Sequence, residues 1–256
     1  MNRVDSIFST LKKDGKKAIM PFLVAGHPTL EETAEAIKLM SEQGADVIEI
    51  GIPFSDPIAD GPVISAAMHE VLKQGVNPND VMAMVKGIRE EVSAALISMV
   101  SYSIVKKYGS TSFIDELKAA GFDGVIIPDI DIQEAKQLSS YSESIGLTFT
   151  MLIAPNTTDQ RTEELVSISS GFLYLLARVG ITGEQSELPD LKDRITKLRN
   201  VTDLPIAVGF GISNREQVAQ VHEHADAAIV GSALVRRMSE SQSPSETAKH
   251  FVLEIS

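Results

Sequence analysis

Glu49 and Asp60 are the residues from which chemistry can first be read. Glu49 interrupts the run Val47-Ile48-Glu49-Ile50-Gly51-Ile52, whose β-branched residues suit a strand covered on both faces. A carboxylate in such a run is either paired with a buried cation or put to use. Asp60 follows eleven residues later and leads into Gly61-Pro62, which supplies turn chemistry and a proline suited to the first helical position. A short loop from the strand end brings both carboxyl groups to one end of a sheet. One made more basic by burial and one left ionised form a general acid–base pair. Spacing alone does not choose the reaction.

The elements that must hold these groups alternate along the whole chain. An amphipathic helix over residues 2–14 places Val4, Ile7, Phe8 and Leu11 on one side and is suited to cap the bottom of a barrel. Strands follow at 18–24, 47–52, 94–100, 124–128, 147–153, 171–176, 205–208 and 227–230. Helices are expected at 29–43, 62–74, 79–91, 113–119, 132–144, 158–168, 191–198, 214–223 and 246–253. No linker, low-complexity tract or composition break divides residues 1–256. Eight such units predict a single α/β domain, a (β/α)8 TIM barrel with extra helices. An open doubly wound sheet would need a dinucleotide glycine fingerprint after an early strand, and none is present.

Glycines cluster after the last three strands: Thr182-Gly183 in the long polar loop 177–190, Gly209-Phe210-Gly211, and Gly231-Ser232 at the start of a short helix. Backbone N–H groups bared by glycine, with the Ser232 hydroxyl, suit a substrate phosphate at the site barrels commonly use. The 177–190 loop is of a length and composition that often forms a lid.

Composition narrows the class. There are no cysteines, which excludes disulfides and thiolate chemistry, and the net charge of −12 comes without a basic stripe, which argues against nucleic acid. The five histidines show no metal-binding spacing and read as surface or capping residues, so no metal is expected. With neither an eighteen-residue apolar run nor a secretory leader pattern, a cytoplasmic location away from membranes is expected.

The segment GIPFSDPIADGP, residues 51–62, resembles the signature of the tryptophan synthase α subunit family. MPFLVAGHP (20–28), IIPD (126–129), GITG (180–183), GFGIS (209–213) and VGSALV (230–235) extend the resemblance, in order, over essentially the whole chain. It implies cleavage of indole-3-glycerol phosphate to indole and glyceraldehyde 3-phosphate, a retro-aldol lyase step. No cofactor is implied in this subunit. The partner implied is a pyridoxal-phosphate-dependent β subunit in an αββα assembly, which consumes the indole.

By that resemblance Glu49 is the acid–base residue and Asp60 accepts the indole N–H. Gly183, Gly211, Gly231 and Ser232 hold the phosphate, Phe22, Ile64, Ile153, Tyr174 and Phe210 line the indole pocket, and Thr182 is a lid residue. The chain departs from the family at Ser101 to Ile104, where Tyr-Tyr-Asn-Pro is usual, and at Asp131, where proline is usual. Two other readings stay open from sequence: another phosphate-binding barrel enzyme, and a non-catalytic barrel subunit that binds and activates a partner.

Overall fold

The computed structural model describes residues 2–56, 60–178, 191–209 and 211–256. The strands are β1 (Ala18–Val24), β2 (Val47–Gly51), β3 (Ala95–Met99), β4 (Gly124–Ile126), β5 (Thr148–Thr150), β6 (Leu152–Ile153), β7 (Leu173–Leu176), β8 (Ile206–Gly209) and β9 (Ala227–Val230). All neighbours pair in parallel, in the order β5-β4-β3-β2-β1-β9-β8-β7-β6. β5 and β6 stand at opposite ends of this order, yet only Met151 separates them in the chain. They are two halves of one strand, so the sheet comes round on itself as a TIM barrel of eight chain passes.

Strand alternation sorts the apolar residues into two layers. Val47, Ile97, Ile126, Tyr174, Ala207 and Ile229 fill the barrel interior. Ile48, Ile50, Leu96, Val125, Leu175 and Val208 point outward into a larger core shared with the helices. Burying each such isoleucine or leucine contributes about 2 kcal/mol, so the outer layer dominates the apolar stabilisation.

The helices are α1 (Arg3–Lys13), α2 (Leu30–Glu42), α3 (Pro62–Lys73), α4 (Pro78–Ile88), α5 (Tyr102–Tyr108), α6 (Ser110–Ala120), α7 (Ile132–Ser144), α8 (Asp159–Ser167), α9 (Lys192–Arg199), α10 (Arg215–His222), α11 (Ser232–Ser239) and α12 (Pro244–Ile255). None among the described residues is long and apolar enough to cross a membrane. α1 closes the bottom as expected: Val4 and Phe8 are buried in the interior cluster, and the Phe8 ring lies 5.9 Å from that of Phe172.

The bottom rim is also stitched by three aspartates, each directly before a strand. Asp46, Asp123 and Asp226 accept the backbone N–H of Ile19, Leu96 and Ile206, at 3.0, 3.0 and 2.8 Å. Arg89 and Arg199 pair with the second and third of these. Carboxylates at this end hold neighbouring strands together, which leaves the opposite end for chemistry.

α5 has no counterpart in the sequence expectations, and its cap explains why. The Ser101 hydroxyl accepts the Ser103 N–H at 3.3 Å, and the carboxylate that takes the Tyr102 N–H at 2.7 Å belongs to Asp129, beyond β4. A helix start secured from so far along the chain is invisible to a local pattern. Asp131, in the usual place of a proline, is the N-cap of α7 and accepts the Gln133 N–H at 2.8 Å.

Candidate active site

Glu49 is the middle residue of β2. Alternation turns it inward with Val47, and the register sets it beside Phe22 of β1 and Ile97 of β3. It is 0% exposed, and neither carboxyl oxygen has a hydrogen-bond partner among the described residues. Burial raises its pKa to about 8. Ile48 and Ile50 lie on the outer face, so the desolvation comes from the interior layer and not from its chain neighbours.

Above this layer, at the C-terminal ends of the strands, opens a cavity of about 410 Å³. Asp60 lines it, immediately before Gly61, the N-cap of α3, and Pro62, its first residue. Burial raises Asp60 to about 6. Tyr174 of β7 lines the cavity too, and its hydroxyl is held well above its usual pKa by burial and by the nearby charges of Glu49 and Asp60, in that order. Glu49 itself is not among the side chains that line the cavity.

The other expected residues fall in three groups. Phe22 and Ile64 line the cavity as apolar wall, and Gly211, Gly231 and Ser232 line it at the ends of β8 and β9. Gly211 has φ +89°, a conformation that favours glycine. Ser232 begins α11, whose N-terminus carries no side-chain cap, so its first N–H groups are open to an anion. Phe210, Thr182 and Gly183 lie outside the described residues, as does most of the 177–190 loop.

Ile153 is placed differently from the expectation. It lines a second cavity, of about 370 Å³, with Pro155 and Leu198 on the outer side, while its neighbour Leu152 lines the first. Strand alternation runs unbroken through Met151: Phe149, Met151 and Ile153 pack in the outer core and Leu152 in the interior, so Leu152 and not Ile153 is the inward residue. Sequence also missed Ile52, Met99, Asp129 and Ile229 on the cavity wall. Met99 and Ile229 were findable, since they continue the inward alternation of β3 and β9.

The histidines need one correction. His27 is buried, with its Nε2 2.7 Å from the Ser239 hydroxyl, and burial lowers its pKa despite the nearby Glu70. Among the described residues no three acidic or histidine side chains cluster as a metal would require.

Comparison with known proteins gives the site its family. The family model described as tryptophan synthase alpha chain matches residues 8–255. The chain belongs to the tryptophan synthase alpha chain family. The relative from Rippkaea orientalis, a tryptophan synthase alpha chain, is 41% identical over 251 residues, covering 97% of this chain and 94% of that one. The one from Caldanaerobacter subterraneus is 37% identical over 259 residues, covering 100% and 98%. The solved Mycobacterium tuberculosis tryptophan synthase superposes with a TM-score of 0.91 at 32% identity, covering 99% of this chain and 96% of that one. Subunit alpha from Legionella pneumophila gives 0.91 at 34%, covering 100% and 97%.

The chain is accordingly a lyase of tryptophan biosynthesis, and its family implies a β-subunit partner. Neither rival reading, another phosphate-binding barrel or a non-catalytic subunit, is favoured by a match of this extent.

Two aromatic residues of the site depend on bare backbone beside them. A Cβ at Gly51 would lie 2.7 Å from the Phe22 ring, and one at Gly209 would lie 2.7 Å from Cζ of Tyr174. The Tyr174 ring is rigid and enclosed, so Gly209→Ala is expected to displace it. The cost should be about 1–3 kcal/mol of stability, the usual penalty of overpacking. Urea denaturation checks this, and an unchanged midpoint would mean the tyrosine relaxes without cost.

Proposed function

We propose that this chain, acting over residues 1–256 as one barrel domain, cleaves indole-3-glycerol phosphate to indole and glyceraldehyde 3-phosphate. Gly211, Gly231 and Ser232 hold the phosphate through backbone N–H groups and the Ser232 hydroxyl. Asp60, ionised, accepts the indole N–H and offsets the positive charge that grows on the ring. Glu49, protonated, gives its proton to indole C3; its carboxyl has no hydrogen-bond partner among the described residues, which leaves it free to turn toward the substrate about its own side-chain bonds. The resulting carboxylate then takes the proton of the glycerol hydroxyl as the carbon–carbon bond breaks. The electron pair of that bond returns to the ring, which leaves as indole, and the aldehyde forms on the other fragment. Glu49 is thereby reprotonated for the next turn.

The β subunit completes an αββα assembly, receives the indole and carries the pyridoxal phosphate. The assembly works in the cytoplasm.

The observation that carries this reading is the pair of carboxyls pushed apart by burial, Glu49 to about 8 and Asp60 to about 6. Carbon protonation needs an acid that stays protonated near neutral pH, and charge stabilisation needs a neighbour that does not. The sign of the pH dependence follows. Below about 6 Asp60 takes up a proton and loses its charge; above about 8 Glu49 loses the proton it must donate. Steady-state kcat/KM for indole release should therefore be bell-shaped with limbs near those values. The measurement is made on the purified chain with and without a β subunit. A profile that rises steadily through pH 8 would assign Glu49 to a base role only, and no indole from folded protein under either condition would sink the lyase chemistry for this chain.

A further inference from the structure

The wall of the cavity opposite the phosphate end is polar at one point. With β5 and β6 counted as one strand, Ser101 follows the third strand and Asp129 the fourth, whereas Gly211 follows the seventh and Gly231 and Ser232 the eighth. In a ring of eight strands these two groups face each other across the mouth, and both line the same cavity. A substrate held by its phosphate at one side therefore points its other end, the edge of the fused ring, toward Ser101 and Asp129. The surroundings of that point, Met99, Val100 and Pro128, are apolar.

The polar pair is built and fixed. The Ser101 hydroxyl donates to Asp129 Oδ2 at 2.7 Å, the Tyr102 N–H donates to Asp129 Oδ1 at 2.7 Å, and the Ser103 hydroxyl lies 3.0 Å from that of Ser101. A carboxylate accepts about four hydrogen bonds, and these donors supply two, so Asp129 keeps acceptor capacity toward the cavity.

We infer that Ser101 and Asp129 form a specificity determinant that accepts a hydrogen bond from a hydroxyl or amino group on the benzenoid edge of the substrate ring. This rests on the indole-glycerol phosphate reading above and names the wider substrate class of that same site. Asp129 is exposed at the rim of the mouth, and on its cavity side a ring O–H or N–H supplies a donor that a methyl group of similar size does not.

The test runs the reaction in the condensing direction, with glyceraldehyde 3-phosphate and indole, 5- and 6-hydroxyindole, or 5- and 6-methylindole. The enzyme is the full chain, unmodified or as Asp129→Ala or Ser101→Ala. The quantity read is the kcat/KM ratio of hydroxy to methyl compound at the same ring position. At one of the two positions it is expected to be about three- to tenfold in the unmodified chain and to fall to about one in Asp129→Ala. Ser101→Ala, which leaves Asp129 to the Tyr102 amide, should lower it about threefold and serves where Asp129→Ala does not fold. A ratio near one in the unmodified chain, or one that folded variants leave unchanged, overturns the inference. Failure of the folded, unmodified chain to condense plain indole overturns the functional reading instead.

Discussion

Glu49→Gln is expected to lower kcat for indole release by about 10³-fold and, at pH 8, to make the protein more stable. The first half follows from the role of a positioned acid, which typically contributes 10²–10⁴-fold. The substituted glutamine keeps the shape of the side chain and has no proton to give. The second half follows from burial. A carboxyl whose pKa is about 8 in the fold and near 4.5 in the unfolded chain holds its proton more tightly when folded. Such a group stabilises least at high pH: below about 4.5 both states are protonated, and between there and about 8 stability is lost as the unfolded chain ionises first. At pH 7 the accumulated loss is roughly 3 kcal/mol. The neutral glutamine escapes it, less what its own unpaired N–H groups cost in the same dry place. Urea denaturation of both proteins at pH 4 and pH 8 separates these terms. The variant should gain about 1–3 kcal/mol at pH 8 and little at pH 4. A gain of equal size at both would mean that ionisation of Glu49 is not its source.

The two halves have one cause. Glu49 sits in a parallel strand with Val47 below it and Phe22 and Ile97 beside it, and among the described residues no cation partners it. The same dry surroundings that weaken the fold keep the acid protonated near neutral pH. In contrast, Asp46, Asp123 and Asp226 at the other end each accept a strand N–H. Glu49 differs from these aspartates less in residue type than in whether a donor has been provided.

That contrast also bounds what could be read from sequence. The barrel was legible because buried parallel strands announce themselves as short β-branched runs, and β1 and β9 fall on the expected residues 18–24 and 227–230. The two carboxyls were legible because each breaks a local rule, a charge inside an apolar run in one case and a charge at a strand-to-helix turn in the other. Features that depend on partners far along the chain were not. α5 hides because its N-terminus is held by Asp129. The exchange of Ile153 for Leu152 was within reach of the sequence, since it only continues the alternation of Phe149 and Met151. The three rim aspartates did carry a signal, an aspartate directly before each of β2, β4 and β9. It becomes recognisable only once the neighbouring strand that donates to it is known.

Asp60→Asn should separate binding the substrate from stabilising its charged intermediate. Asparagine keeps a carbonyl oxygen where the indole N–H is received, so the ground state loses little and KM is expected to change by less than about threefold. The charge on the ring exists only once C3 has been protonated, and a neutral amide no longer offsets it there. The loss therefore falls on kcat, by about 10²–10³-fold, the range for removing a preorganised electrostatic partner of a transition state. The pH profile supplies a second, independent sign. The limb near pH 6 belongs to Asp60, and in the variant it should vanish while the fall near pH 8, which belongs to Glu49, remains. If KM instead rises in step with the lost rate, Asp60 serves to bind the ring. If the limb near pH 6 survives, it does not belong to Asp60. Loss in kcat together with loss of that limb is the combination that only a charge needed in the transition state produces.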